Sequence, residues 1–194
     1  MPTEIDISLL KAKDEQAFRL LVNTYSKDIY NLCLNIVHNP EDGEDLAQEA
    51  FIEAFNSIDS FREGAHIKTW LFRIAINKCY DHIKYTKRKK RFAILQPLFN
   101  RDEEPIEIPS NFQHPGIVLE NKEHAAALYA ALETLPENQQ SAFVLYEMQG
   151  MDYKQIAETI GVSLSSVEAL LFRARKGLRE KLQKYYTHNA SFKK

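Results

Sequence analysis

Arg73, Asn77, Asp81, Lys84 and Arg88 are spaced four, four, three and four residues apart within KTWLFRIAINKCYDHIKYTKRKKR, residues 68–91. On a helix this spacing sets all five on one stripe. Trp70 and Phe72 flank the stripe near its start, and six of the eight residues from Lys84 to Arg91 are basic. Cations edged by flat rings suit unstacked single-stranded nucleic acid, because the charges neutralise the backbone while the rings stack on bases. An extruded base would also need a pocket with hydrogen-bonding groups, which the preceding loop, residues 61–69, could supply. Either aromatic taken alone reads as a core residue; the stripe as a whole reads as nucleic-acid binding. The opposite side (Leu71, Ile74, Ala75, Cys79, Ile83) is apolar and belongs to a core.

A second constellation lies in DYKQIAETIGVSLSSVEALLFRARKGLREKL, residues 152–182. Asp152 and Gln155 have capping-box spacing. Ala157 is small where two helices must cross closely, and Gly161 four residues later supplies a left-handed turn. Ser163 can cap the next helix, and Val167 packs between the two, with Ile156, Ile160, Val162 and Leu170 completing a small core. Such a helix-turn-helix leaves its second helix free to enter a DNA major groove. Short side chains near the start of that helix (Ser165, Ser166, Ala169) suit base edges, while Arg173, Arg175, Lys176 and Arg179 suit phosphates. Glu168 could accept from a cytosine amino group, or it could repel phosphate and fix register.

The charge pattern fits two polyanion contacts. Residues 1–60 hold 12 acids and 4 bases, residues 61–91 hold 2 acids and 10 bases, and residues 163–194 are net +6, although the 194-residue chain is only −2. Basic blocks alternating with acidic ones point to separate contacts with nucleic acid and an acidic surface turned elsewhere. That surface is Asp45, Gln48, Glu49 and Ile52, a polar patch with one exposed aliphatic opposite an apolar face. It repels DNA and is suited to solvent or to a protein partner.

The elements needed to hold these groups are helices, with strand alternation almost absent. Phe18, Leu21, Val22, Tyr25, Ile29, Leu32, Cys33 and Ile36 recur at three- and four-residue intervals. Asn39-Pro40 then starts a helix with Glu41 and Asp42 in its first turn, whose core side is Leu46, Ala47, Ala50, Phe51, Ala54, Phe55 and Ile58. Four of the seven prolines fall between residues 97 and 115. The expected architecture is all-α: two small helical domains joined by a flexible linker, the C-terminal one a helix-turn-helix. The expected bounds are 1–92, a linker at 93–118, 119–185 and a tail at 186–194. No apolar run approaches the ~20 residues of a membrane span, and the N-terminus does not have the pattern of a secretory signal. Cys33 and Cys79 form no CxxC and read as buried, reduced thiols of a cytoplasmic protein. There is no phosphate-binding glycine loop, and the histidines are scattered without metal-ligand spacing. An enzyme, a cofactor, a bound metal and a small-molecule substrate are therefore not expected.

Three stretches, NPEDGEDLAQEAFIEAF, SFREGAHIKTWLFRIAINKCYDHIKYTKRKKR and LPENQQSAFVLYEMQGMDYKQIAETIGVSLSSVEALLFRARKGL, closely resemble the extracytoplasmic-function (ECF) group of bacterial sigma factors. These are sigma-70 family initiation factors with only regions 2 and 4. The resemblance spans about residues 8–185. It implies a non-catalytic subunit that binds core RNA polymerase, directs it to promoters and helps melt the −10 region by trapping unpaired bases. It implies that Asp45, Gln48, Glu49 and Ile52 dock on a coiled coil of the largest polymerase subunit. It places −10 recognition on Phe61, Arg62, His66, Lys68, Thr69, Trp70, Arg73, Asn77, Asp81, Lys84 and Arg88, and −35 recognition on Ser163, Ser165, Ser166, Glu168, Ala169, Arg173, Arg175 and Lys176. An anti-sigma factor is the further partner it implies. The chain departs from the family's usual pattern at VEALL, where many members carry a base for Glu168 and Arg for Leu170, and at the loop EGAHIK, where a shorter polar set is common. The competing reading is a conventional helix-turn-helix regulator acting on duplex DNA without replacing sigma.

Overall fold

A computed structural model of the chain describes residues 5–62, 64–95 and 122–190. Its elements are α1 (Ile7–Lys11), α2 (Glu15–Val37), α3 (Pro40–Ser57) with a 3-10 turn at Ile58–Ser60, α4 (Ile67–Leu95), α5 (Lys122–Leu132), α6 (Glu137–Phe143) with a π-helical turn at Val144–Met148, α7 (Tyr153–Ile160) and α8 (Leu164–Ala190). No strand occurs among the described residues.

Local chemistry sets the first boundaries. Asp14 caps α2 by accepting from the Ala17 amide at 2.9 Å. The helix ends at His38, which takes the left-handed conformation at φ 59°. Asn39 caps α3 by accepting from the amides of Glu41 and Asp42, with Pro40 in the first turn, because a missing N–H costs nothing there. The tight reversal brings α3 against α2 at Gly43. A Cβ there would meet the Leu34 backbone at 3.3 Å.

Helices α2, α3 and α4 bury Leu21, Ile29, Leu32, Cys33, Leu46, Ala50, Ala54, Leu71, Phe72 and Cys79 between them. Two details depart from the sequence reading. Phe55, placed on the core side, is 39 % exposed and lies edge-on to Phe18. Phe72, proposed as a flank of the stripe, is fully buried, so α4 turns that ring inward. Cys33 and Cys79 are buried free thiols, and they meet in this core: the Cys79 thiol is hydrogen-bonded with Cys33 and its pKa is pushed well up by that bond and by burial.

In the second domain α7 and α8 form the helix-turn-helix. Asp152 and Gln155 make both halves of the capping box. Gly161 sits at φ 72°, where a Cβ would touch nothing, so its requirement is conformational rather than spatial. Ile156 and Val167 are fully buried between the helices, and the Ser163 hydroxyl accepts from the Ser166 amide at 3.2 Å. The linker expected at 93–118 lies outside the described residues except for 93–95, which end α4; α8 extends to Ala190.

The two domains do not stand apart. One continuous apolar cluster runs from α2 and α4 to Ala142, Val144, Leu145, Met151, Ile156, Val167 and Leu171. Polar contacts tie the same seam. Tyr80 donates to the Glu137 carbonyl at 2.6 Å and lies 2.8 Å from the Ser141 hydroxyl. Tyr129 donates to Asn35 at 3.0 Å, and Gln140 donates to the Ile36 carbonyl at 3.2 Å.

Candidate functional site

The acidic patch is built by spacing alone. Asp45, Gln48, Glu49 and Ile52 fall three, one and three residues apart on α3, and all four are exposed, with Ile52 62 % exposed. The buried face of the same helix is held by Leu46, Ala47, Ala50 and Ala54, which fixes the outward turn of the patch. Lys78 of α4 approaches Glu53 at 3.4 Å and Glu49 at 3.9 Å, leaving Asp45 and Gln48 unencumbered. Phe55 extends the exposed apolar surface one turn beyond Ile52. Its three-residue step from Ile52 was a readable signal, masked because Phe55 also fits the core period.

The stripe on α4 is divided. All five of its residues are exposed, but Asn77, Asp81 and Arg88 face solvent without a contact to the second domain, whereas two cations also reach it. Arg73 is turned onto the second domain, where its guanidinium donates to the carbonyls of Thr159, at 3.1 Å, and Glu158. Lys84 pairs with Glu137 at 3.2 Å. Of the loop residues, Arg62 and His66 are exposed, while Lys68 pairs with Asp28 at 2.9 Å and sits over the Phe72 ring. Two proposed DNA contacts are corrected. Phe61 is 3 % exposed and packs edge-on against Trp70, and Thr69 is 4 % exposed with its hydroxyl donating to the His66 carbonyl. Both are parts of the loop's foundation, the ring by apolar packing and the buried hydroxyl by its internal hydrogen bond. Trp70 is half-buried.

On α8, Ser163, Ser165, Glu168, Arg173 and Lys176 are exposed, and Ser166 and Ala169 are half-buried. The Ser163 hydroxyl is engaged by Ser165 and Ser166 as well as by the Ser166 amide. Arg175 differs from its neighbours. Its Nε and Nη2 both donate to Glu147 Oε1, at 3.2 and 2.9 Å, and the guanidinium lies 5.2 Å from the Tyr146 ring centre. The arginine therefore braces α8 against the π-helical turn. The sequence reading did not include Phe172, which is 70 % exposed and stands between Glu168 and Lys176 at four-residue spacing. It lines a groove of about 340 Å³ with Tyr153, Glu168, Arg175 and Lys176.

Two basic helical faces, an acidic patch on a third helix and a helix-turn-helix are the features of a nucleic-acid-binding protein with a further docking surface, and comparison with known proteins narrows the class. Residues 21–89 match the family model for Sigma-70 region 2, and residues 125–178 match that for Sigma-70, region 4. The chain is 31 % identical over 170 residues to the RNA polymerase sigma-H factor of Pseudomonas aeruginosa, covering 88 % of each. It is 28 % identical over 180 residues to the ECF RNA polymerase sigma-E factor of Escherichia coli K12, covering 93 % of this chain and 94 % of that one. The fold resembles CnrH in its complex with the cytosolic domain of CnrY, with TM-score 0.65, 21 % identity, and coverage of 92 % and 95 %. It also resembles the sigma factor RpoE of Bartonella quintana in complex with the anti-sigma factor NepR, with TM-score 0.58, 24 % identity, and coverage of 86 % and 96 %. The chain belongs to the sigma-70 family, in its ECF group. It is a sigma factor, which binds core RNA polymerase and directs it to promoters.

Proposed function

We propose a division of labour among the three surfaces, carried by one observation: the acidic patch and the two basic faces lie on different helices, each exposed while its helix's other side is buried. The α3 patch of Asp45, Gln48, Glu49 and Ile52, widened by Phe55, docks on the coiled coil of the largest polymerase subunit. The loop and α4 take the −10 element as unpaired strand, through Arg62, His66, Lys68, Trp70, Arg73, Asn77, Asp81, Lys84 and Arg88. Stacking and backbone neutralisation there favour melted DNA over duplex without nucleotide hydrolysis. Helix α8 reads the −35 element as duplex through Ser165, Ser166, Glu168 and Ala169. Arg173 and Lys176 take phosphates, and Phe172 offers an apolar contact to a thymine methyl. Ser163 caps the reading helix and Arg175 braces it.

The protein acts as a non-catalytic subunit in the cytoplasm, consistent with the sigma-factor relatives and with no helix among the described residues being long and apolar enough to cross a membrane. An anti-sigma factor is its expected regulator, as the similar solved sigma factor RpoE is bound to the anti-sigma factor NepR. The domain bounds 1–92 and 119–185, with a linker at 93–118, fit this division.

Asp45→Arg with Glu49→Arg tests the docking surface. The expected result is loss of co-purification with core polymerase with an unchanged circular dichroism spectrum, since both side chains are exposed. Retained co-purification would remove the patch from the interface.

A further inference from the structure

The opening stretch of α8, from Leu164 to Phe172, contains no Arg, Lys, Asn, Gln or His. In a helix-turn-helix the N-terminal part of the second helix is the part that meets base edges. Guanine is ordinarily read there by Arg or Lys and adenine by Asn or Gln, so the stretch is without the usual reader of either purine. It exposes a row of another kind. Leu164, Glu168 and Phe172 follow one another at four-residue spacing and so share one side of the helix. Leu164 is 51 % exposed and Phe172 70 % exposed, with the exposed Glu168 between them. Val167 and Leu171, turned the other way, are buried and fix how the row faces.

The fold gives the acid in this row no employment. Among the described residues the Glu168 carboxylate enters no hydrogen bond or ion pair, whereas Glu147 holds Arg175. The positions three and four away along the helix are Ser165, Leu171, Leu164 and Phe172, so no cation stands where a helical partner would. The helix begins at Leu164, which puts Glu168 beyond the first turn, where the dipole favours an acid. Arg173 and Lys176 are exposed at and past the end of the row. Bound to phosphates, they offset the repulsion that a carboxylate meets near DNA.

Base edges sort by the same chemistry. Cytosine offers the major groove an amino donor, which a carboxylate accepts, while guanine offers two acceptors, which repel it. Adenine sets an acceptor beside its donor, and thymine alone carries a methyl group for an apolar side chain to cover. From Leu164 to Phe172 the helix climbs about 12 Å, the length of no more than about four base-pair steps.

We propose that this row selects a pyrimidine-rich strand in the −35 duplex: a cytosine whose amino group donates to Glu168, set among thymines whose methyls meet Leu164 and Phe172, with guanine rejected at the central position. Leu164 thereby joins the reading residues, and Glu168 is the one that discriminates. This rests on the assignment of α8 to the −35 element, and the two fail separately in the following test.

The full chain, assembled with core polymerase, selects from a pool of randomised DNA duplexes, and the bound fraction is sequenced. Native chain, Glu168→Gln and the double variant Arg173→Ala with Lys176→Ala are compared at one salt concentration. All three side chains are exposed, and circular dichroism checks each fold. The native chain is expected to enrich two spaced motifs, the upstream one with a cytosine among thymines on one strand. Gln keeps the shape of Glu but pairs a donor with an acceptor, which suits adenine N7 and N6. Glu168→Gln is therefore expected to replace that one cytosine by adenine and leave the rest of the motif as it was. The preference should be roughly tenfold, equivalent to about 1.4 kcal/mol. A purine at the centre of the native motif, or a motif unmoved by Glu168→Gln, overturns the proposal while leaving α8 on the −35 element. No upstream motif with the native chain, or one that survives Arg173→Ala with Lys176→Ala, removes α8 from that element and the proposal with it.

Discussion

Arg73 has two partners that exclude each other. In the folded chain its guanidinium ends α7; on DNA the same group would neutralise a phosphate. Arg73→Ala with Asn77→Ala is expected to reduce open-complex formation about tenfold or more while core binding is retained, as read by permanganate reactivity of unpaired thymines. An unchanged pattern would remove both residues from −10 capture. His38 gives the seam a dependence on pH. Its ring lies 4.8 Å from that of Tyr129 and 3.4 Å from Gln140 Nε2, and burial lowers its pKa from 6.5 to about 4. An unfolded chain takes up a proton near pH 6.5 and the folded chain does not. The folded chain therefore has its full stability above about pH 6.5 and loses it as pH falls toward 4, by at most about 3 kcal/mol. Urea midpoints at pH 7.5 and 5 should differ in that direction, and His38→Gln should flatten the difference. The same residues show where single positions were illegible. Phe61 and Thr69 were placed on the DNA face because their neighbours were, yet a loop residue's burial depends on what packs behind it. No periodicity reports that.

At the scale of elements, sequence chemistry predicted helix ends well because caps act over three or four residues. The capping box at α7, the Asn39-Pro40 start of α3 and the left-handed Gly161 all involve atoms adjacent in the chain. Gly161→Ala is expected to cost about 1–2 kcal/mol from its positive φ alone, since nothing stands where the Cβ would go. Asp152→Ala is expected to cost about 1 kcal/mol through the lost cap. Urea denaturation checks both. Phe172→Ala should leave stability unchanged, because the ring is 70 % exposed, yet weaken duplex binding. Equal duplex affinity would return Phe172 to the surface as a bystander. Helix α8 shows what local reading missed. Its bases looked equivalent along the stripe, but Arg175 is bound by Glu147, 28 positions earlier, and only the turn between α6 and α7 makes them neighbours.

Across the whole molecule, alternating charge blocks and helical periodicity made the two-domain, all-helical plan and both basic faces legible. The seam between the domains was not. It is made by Asn35, His38 and Tyr80 meeting Tyr129, Gln140 and Ser141, polar residues separated by 60 to 102 positions. Polar side chains have no hydrophobic period to betray their burial. Together the acidic patch and both basic faces are proposed to give polymerase its start sites. The most direct measurement is transcription in vitro from sheared genomic DNA of the source organism by its core polymerase, with and without the protein, mapping transcript 5′ ends by sequencing. The account predicts start sites that depend on the protein and share two upstream motifs at fixed spacing, lost on Arg73→Ala with Asn77→Ala. Start sites unchanged by the protein, alongside its binding to duplex DNA without polymerase, would contradict it.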